Sequence, residues 1–184
     1  MNESLLAGRY AKALLNQALE EGVAGELYPI LRHLSRSIPT AAGWRATVDN
    51  PTLSEELRAR FVVALAGGTP PELLVRFVEL IFAHNREALL GEMARAYVRL
   101  YRRHQGITYA RITTSRELTP ATIEQLRGVL TERFGGQVEL EIIVDAGLIG
   151  GFVVRVDGRQ MDASIKGQLE RIRRQFAGKN KAIV

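Results

Sequence analysis

The chain has 184 residues, 46% hydrophobic and 24% charged, with a net charge of +5, which suits a soluble globular protein of one large or two small domains. It contains no cysteine, which excludes disulfides, thiolate zinc sites and cysteine nucleophiles. No apolar run nears the ~20 residues needed to span a bilayer, and the N-terminus MNESLLAGRY lacks the basic-then-apolar order of a signal peptide, so a cytoplasmic location is expected.

From Leu5 to Arg103 the apolar residues recur at three and four, the period of amphipathic helices, with no strand suggested. A first helix is expected over Ser4–Glu20, with Leu6, Tyr10, Ala13, Leu14 and Gln17 along one side, and Gly22 ends it. A second follows over Val23–Ser37, striped by Leu27, Ile30, Leu31 and Leu34, with Pro29 near its start. A short third is expected around Ala41–Ala46, with Trp44 in the core. Thr52-Leu53-Ser54-Glu55 has capping-box spacing, and a fourth helix runs from it to Ala66. Thr69-Pro70-Pro71-Glu72 is a second such box, with proline at the first helical position. The fifth helix, Glu72–His84, is apolar nearly all round: Leu73, Leu74, Phe77, Val78, Leu80, Ile81 and Phe82 cover more than the ~100° stripe an outer helix needs. It is either central or holds a second apolar contact. The sixth, Glu87–His104, repeats Leu90, Met93, Tyr97 and Leu100, completing a six-helix bundle.

Gly106 marks a boundary, giving domains over residues 1–105 and 106–184. Ile107–Thr114 is β-branched and reads as a strand, Thr119-Pro120 starts a helix striped by Ile123, Leu126, Leu130 and Phe134, and Gly135-Gly136 ends it. Val138, Leu140, Ile142 and Val144 alternate with Glu139, Glu141 and Asp145, a strand with one buried face. The glycine-rich link of residues 146–151 then predicts a hairpin to a strand over Phe152, Val154 and Val156, and Asp157-Gly158 predicts a tight turn. Ile165, Leu169, Ile172 and Phe176 at i, i+4, i+7 and i+11 form the stripe of a closing helix. The fold class is therefore α+β: the bundle followed by a small βαββα domain. Ser164–Lys181 holds six basic residues (Lys166, Arg171, Arg173, Arg174, Lys179, Lys181) against Glu170 alone, which equals the whole net charge. Such a segment suits nucleic acid, an anionic membrane or an acidic protein, and equally a solvated helix face.

Catalytic chemistry finds no footing. His33, His84 and His104 lie on three different helices without metal-ligand spacing, and the glycines at 147, 150 and 151 join two strands rather than a strand and a helix. Glu139 and Glu141 share a strand face as solvated carboxylates do. Tyr97–Arg103 interleaves aromatic and basic residues as base-stacking surfaces do, but Tyr97 and Leu100 belong to the apolar stripe and leave the arginines as its solvated face.

Asp145, the run Leu148-Ile149-Gly150-Gly151-Phe152, a further strand, and Asp162-x-Ser164 opening a helix with Leu169 resemble in order and spacing the C-terminal signature of the delta subunit of bacterial ATP synthase, equivalent to the mitochondrial oligomycin-sensitivity-conferring protein (OSCP). Arg9-Tyr10-Ala11-Lys12-Ala13-Leu14 is similar to its N-terminal motif, and Phe77–Tyr101, with Asn85-Arg86 between two apolar helices, is a third match. The resemblance covers essentially the whole chain. It implies a non-catalytic stator subunit without cofactor or metal, present in one copy on the cytoplasmic face of the cell membrane without inserting into it. The implied partners are the N-terminal helices of alpha subunits and the C-terminal ends of the peripheral-stalk b subunits. Carried onto this chain, the groove between the first and fifth helices falls at Tyr10, Ala11, Leu14, Phe77, Leu80 and Ile81, and the stalk contact at Gly150, Gly151, Lys166, Arg171, Arg173 and Arg174. The alternative reading of the groove residues is that they are core only. A basic nucleic-acid-binding or scaffolding module, without an alpha-subunit partner, is the alternative to the stator.

Overall fold

In the computed structural model of the chain the described residues are 3–41, 43–48, 50, 52–67, 70–148, 150–156 and 159–162. They divide between two compact units, residues 1–104 and 105–184.

The first unit is helical. Helices α1 (Glu3–Glu20), α2 (Ala24–Ser37), α3 (Trp44–Val48), α4 (Glu55–Ala66), α5 (Glu72–Ala83) and α6 (Leu90–Gln105) are its α-helices among the described residues, and a 3-10 turn, Glu87–Leu89, leads into α6. The apolar stripes meet in one core whose most enclosed members include Tyr97, Phe82, Leu27, Leu31, Leu34, Leu74 and Ile81. Each large apolar side chain buried this way is worth about 1.5–3 kcal/mol in transfer free energy. Tyr97 keeps its hydroxyl satisfied inside that core by donating to the Ala24 carbonyl at 3.1 Å, and burial raises its pKa above the ordinary tyrosine value. Trp44 is half-buried, packed on the core rather than inside it, with its ring 6.3 Å from that of Phe61. Arg102 is only partly solvated, because its Nε donates to the Tyr28 hydroxyl at 2.8 Å beside the stacked Tyr28 and Tyr101 rings.

The helix ends correct two expectations. The cap of α4 is Ser54, whose side chain accepts from the Leu57 N–H, while Thr52 turns back to Asn50 with its N–H and hydroxyl 2.9 and 2.7 Å from Oδ1. The asparagine offers Thr52 a nearer acceptor than the helix end does, so the box does not form. The cap of α5 is Pro71, two positions later than the Thr69 that the box spacing assigns, and without a side-chain cap bond; Thr69 lies outside the described residues. At the other end of α5, Asn85 adopts φ +53°, with its N–H bonded to Phe82 O and that of Arg86 to Ile81 O. That pair of bonds is a Schellman closure, and asparagine is the non-glycine residue that enters its left-handed position at least cost.

The second unit is α+β: β1 (Thr108–Thr114), α7 (Pro120–Phe134), β2 (Val138–Val144), β3 (Phe152–Val156) and β4 (Arg159–Asp162). Thr119 caps α7 and Pro120 opens it. The sheet order is β2-β1-β3-β4. The expected hairpin between β2 and β3 is therefore absent: β1 lies between them, parallel to β2 with Thr108 opposite Val138 and antiparallel to β3 with Ala110 opposite Val156. The physical reason is cover. β1 holds the best buried strand side chains, Ala110 and Ile112, and the centre of the sheet is where a strand is flanked on both edges. The link after β2 carries the chain across the end of β1, with Gly150 and Gly151 at φ +147° and +78°, values L side chains rarely adopt. The hairpin in this unit joins β3 to β4, a strand not foreseen because Met161 is its only apolar residue; the turn residues Asp157 and Gly158 lie outside the described set.

One face of this sheet packs Ala110, Ile112, Val138, Leu140, Val154 and Val156 against Leu126 and Leu130 of α7. Since side chains alternate along strands, the odd-numbered residues Tyr109, Arg111, Glu139, Glu141, Val153 and Arg155 occupy the opposite face. The closing helix expected from Ser164 lies outside the described residues.

Candidate functional site

In the helical unit the six groove residues fall into two layers. Ala11, Leu14, Phe77 and Ile81 are buried, Tyr10 is half-buried against the core, and Leu80 is 47% exposed. The breadth of apolar surface on α5 is thus mostly core, and Leu80 is the large apolar side chain that the core leaves over. Its helical position places it on the same edge of α5 as Arg76, one turn away. Arg76 donates to Glu21 Oε1 at 2.9 Å, just beyond the end of α1, and Gln17 of α1 donates to the same oxygen at 3.0 Å. At 100° per residue Glu21, Gln17, Tyr10 and Leu6 share one edge of α1. The polar bridge therefore joins the Tyr10 edge of α1 to the Leu80 edge of α5, while Leu14, Phe77 and Ile81 are buried in the core. Sequence reasoning missed the Glu21–Arg76 bridge, because a contact between residues 55 apart leaves no periodic trace.

Two features hold that edge of α5 in place. The His84 ring nitrogen Nδ1 lies 2.8 Å from the Leu80 carbonyl beside the Asn85 closure. On the far side Arg58 of α4 lies over the Phe82 ring at 5.3 Å, donates to the Val48 carbonyl at 3.0 Å, and approaches Glu87 at 3.6 Å. Both charged side chains are largely enclosed, at 13% and 15% exposure. A partly formed buried pair of this kind contributes through what its loss would leave uncompensated. A separate cleft of about 720 Å³ opens on the same unit, with Ile38, Pro39, Trp44 and Gly91 as walls and the Glu92–Arg95 pair on its rim. The hydrogen bond from Arg95 holds the Glu92 carboxyl below the usual range.

In the second unit, of the residues expected at the stalk contact, Gly150 and Gly151 stand at the end of the sheet, whereas Lys166, Arg171, Arg173 and Arg174 lie outside the described residues. The face away from α7 holds a charged cluster that sequence reasoning treated only as solvated glutamates. Arg111 Nε donates to Glu141 Oε2 at 2.7 Å, and the Tyr109 hydroxyl donates to the same oxygen. Burial and then the bond to Glu141 raise the Tyr109 pKa, and the same carboxylate raises that of Arg111. A hollow of about 420 Å³ beside it is lined by Arg111, Thr113, Ile143, Asp145, Val153 and Arg155. The arrangement pairs charges across strands, an ordinary way to hold a sheet face. Among the described residues neither surface gathers a nucleophile with a base.

The family model described as ATP synthase delta (OSCP) subunit matches residues 6–176. ATP synthase subunit delta of Phocaeicola vulgatus is 34% identical over 181 residues, covering 98% of this chain and 98% of that protein. The subunit delta of Bacteroides fragilis is 34% identical over 186 residues, covering both chains completely. A chain in the cryo-EM structure of the Toxoplasma gondii mitochondrial ATP synthase hexamer shares the fold, with a TM-score of 0.73 over 94% of this chain and 97% of that one at 22% identity. With a family model spanning nearly all of its length and relatives of a third identity end to end, the chain belongs to the ATP synthase delta (OSCP) subunit family.

Proposed function

We propose that the chain is the non-catalytic stator subunit of a rotary proton-translocating ATP synthase, fixing alpha subunits of the catalytic head to the b subunits of the peripheral stalk. The observation that carries this reading is the family match over residues 6–176, which spans both units at once. A rotating shaft drags the head with it unless head and membrane are clamped, and a clamp needs two contact surfaces and no reactive groups. Residues 1–105, as a six-helix bundle, take the head: the seam rimmed by Tyr10 and Leu80 and floored by Ala11, Leu14, Phe77 and Ile81 receives an amphipathic N-terminal helix of an alpha subunit, as helix-in-groove recognition does. Residues 106–184 take the stalk through the Gly150-Gly151 end of the sheet and a closing helix carrying Lys166, Arg171, Arg173 and Arg174. That helix completes a βαββα pattern to which β4 is added. The protein is peripheral to the cytoplasmic side of the membrane and works without a cofactor; no described helix is long and apolar enough to cross a membrane.

The test is purification of the tagged chain from membranes in mild detergent. Head and stalk subunits are expected to accompany it in fixed proportion. Recovery of the chain alone, or with nucleic acid that leaves as salt rises, would contradict the stator reading.

A further inference from the structure

The two edges of the sheet in the second unit differ in kind. In the order β2-β1-β3-β4 the edge strands are β2 and β4. The strand β4 is four residues long and carries Arg159, Gln160 and Asp162, the short charged form in which edges resist further pairing. The strand β2, VELEIIV, has seven residues, five of them Val, Leu or Ile, and no proline, glycine or lysine. Its pairing with β1 runs one to one from Val138 to Val144, so no bulge turns it away. The backbone bonds at its two ends, from the Thr108 N–H to the Gln137 carbonyl at 2.9 Å and from the Asp145 N–H to the Thr114 carbonyl at 2.8 Å, fix which groups face β1. Alternate residues of a strand bond the same neighbour, so Glu139, Glu141 and Ile143 turn their backbone groups to β1. Val138, Leu140, Ile142 and Val144 turn theirs outward, where no strand pairs with them among the described residues. At the end of this edge Ile143 and Val144 are 39% and 50% exposed.

We propose that the outer edge of β2 is a docking site for an extended segment of another protein, which joins the four-stranded sheet as a further strand. The side chains beside the edge state the chemistry of that segment. Leu140 packs on the α7 side and Ile142 shares its face, so alternate residues of the incoming strand are apolar. On the opposite face Glu139 and Glu141 form a row of carboxylates. Arg111 approaches Glu141 from the β1 side, and an added strand approaches the row from the other side. Opposite charges on neighbouring strands stabilise and like charges directly opposite destabilise, so the residues that meet the row are lysine or arginine. The same rule turns away a second copy of this chain. Full-length antiparallel pairing of two β2 strands about a two-fold axis centres on Glu141 and sets it against its own copy. The occupant is thus a strand in which basic and apolar residues alternate. The inference concerns the sheet edge alone and stands or falls apart from the stator reading.

Residue-resolved hydrogen exchange on the full-length chain tests this in two steps. In the free chain the amides of Leu140 and Ile142 are expected to exchange roughly tenfold or more faster than those of Glu141 and Ile143, which β1 holds. Equal protection, or protection of Leu140 and Ile142 that rises with protein concentration, would show the edge already covered by this chain or its copy and would overturn the proposal. The chain is then titrated with a capped peptide of alternating lysine and valine and, separately, with one of alternating glutamate and valine. The lysine peptide is expected to slow exchange at Leu140 and Ile142 severalfold, and the glutamate peptide to leave it unchanged. No slowing by the lysine peptide, or equal slowing by both, would overturn the proposal. Val144→Pro removes one outward N–H at the exposed end of the strand and keeps the bonds to β1. It is expected to weaken the lysine peptide severalfold while Glu141 and Ile143 stay protected, and undiminished affinity in that folded variant would also count against the edge as the site.

Discussion

The helices α5 and α7 are each about a dozen or more residues long and each is striped with apolar side chains, yet they end in different surroundings. In α5, Leu73, Leu74, Phe77, Val78, Ile81 and Phe82 are buried and Leu80 is left over; in α7 only Leu130 is buried, and Val129 and Phe134 stay exposed at 61% and 44%. The difference lies in what surrounds each helix. The helix α5 is packed from several directions by its own unit, with the Arg58–Phe82 contact on one side and the Arg76–Glu21 bridge on the other. The helix α7 rests on one sheet face with nothing described above it. Exposed apolar surface therefore arises differently in the two units: in the first Leu80 is what a deep core leaves over, and in the second Val129 and Phe134 lie on a helix that covers a thinner core.

The largest expected effect is in the deep core. Leu27→Ala, at a fully enclosed position, is expected to cost about 2–5 kcal/mol, and Leu130→Ala, in the thinner core, to fall at or below the low end of that range. Denaturant unfolding of both variants checks this, and an equal or larger loss at Leu130 would break the comparison. Next is the enclosed charge. Arg58→Ala leaves Glu87 without its partner and the Val48 carbonyl without its donor, with an expected cost of about 3 kcal/mol. An Arg58→Ala, Glu87→Ala double mutant should recover part of it. The cap of α4 comes third. Ser54→Ala is expected to cost about 1 kcal/mol and Thr52→Ala less, whereas the sequence spacing alone assigns the cap to Thr52. Smallest is the alkaline response of the sheet. Tyr109 titrates above its unfolded value near 10, so its contribution is fully present below that pH and lost as pH rises through the folded value. Tyr109→Phe is expected to flatten stability against pH above about 10, as followed by urea unfolding across that range.

Much of this was legible in the chain because it is local. The positions of α1, α2, α4 and α5, the span of β2, and the Thr119-Pro120 start and Gly135 end of α7 all follow from period and turn chemistry, which act over a few residues. The order of the strands was not. Whether the link of residues 146–151 makes a hairpin or crosses β1 depends on which strand Ala110 and Ile112 pair with, and those partners lie some 30 to 45 residues away. The candidate seam shows the same limit. Periodicity marks Leu14, Phe77, Leu80 and Ile81 as apolar, but the packing around them decides that Leu80 is exposed and the others are buried. The Glu21–Arg76 bridge and the Ser54 cap depend on contacts whose competitors the sequence does not rank.

The central claim is that two separate surfaces join two different partners. The measurement that tests it most directly compares Leu80→Asp with an Arg171→Glu, Arg174→Glu variant in the full chain. Each is titrated with an alpha-subunit N-terminal peptide and, separately, with a soluble b-subunit fragment. The account expects Leu80→Asp to lose the alpha peptide and keep the b fragment, and the double charge reversal to do the opposite. Loss of both partners in either folded variant, or of neither, would contradict it.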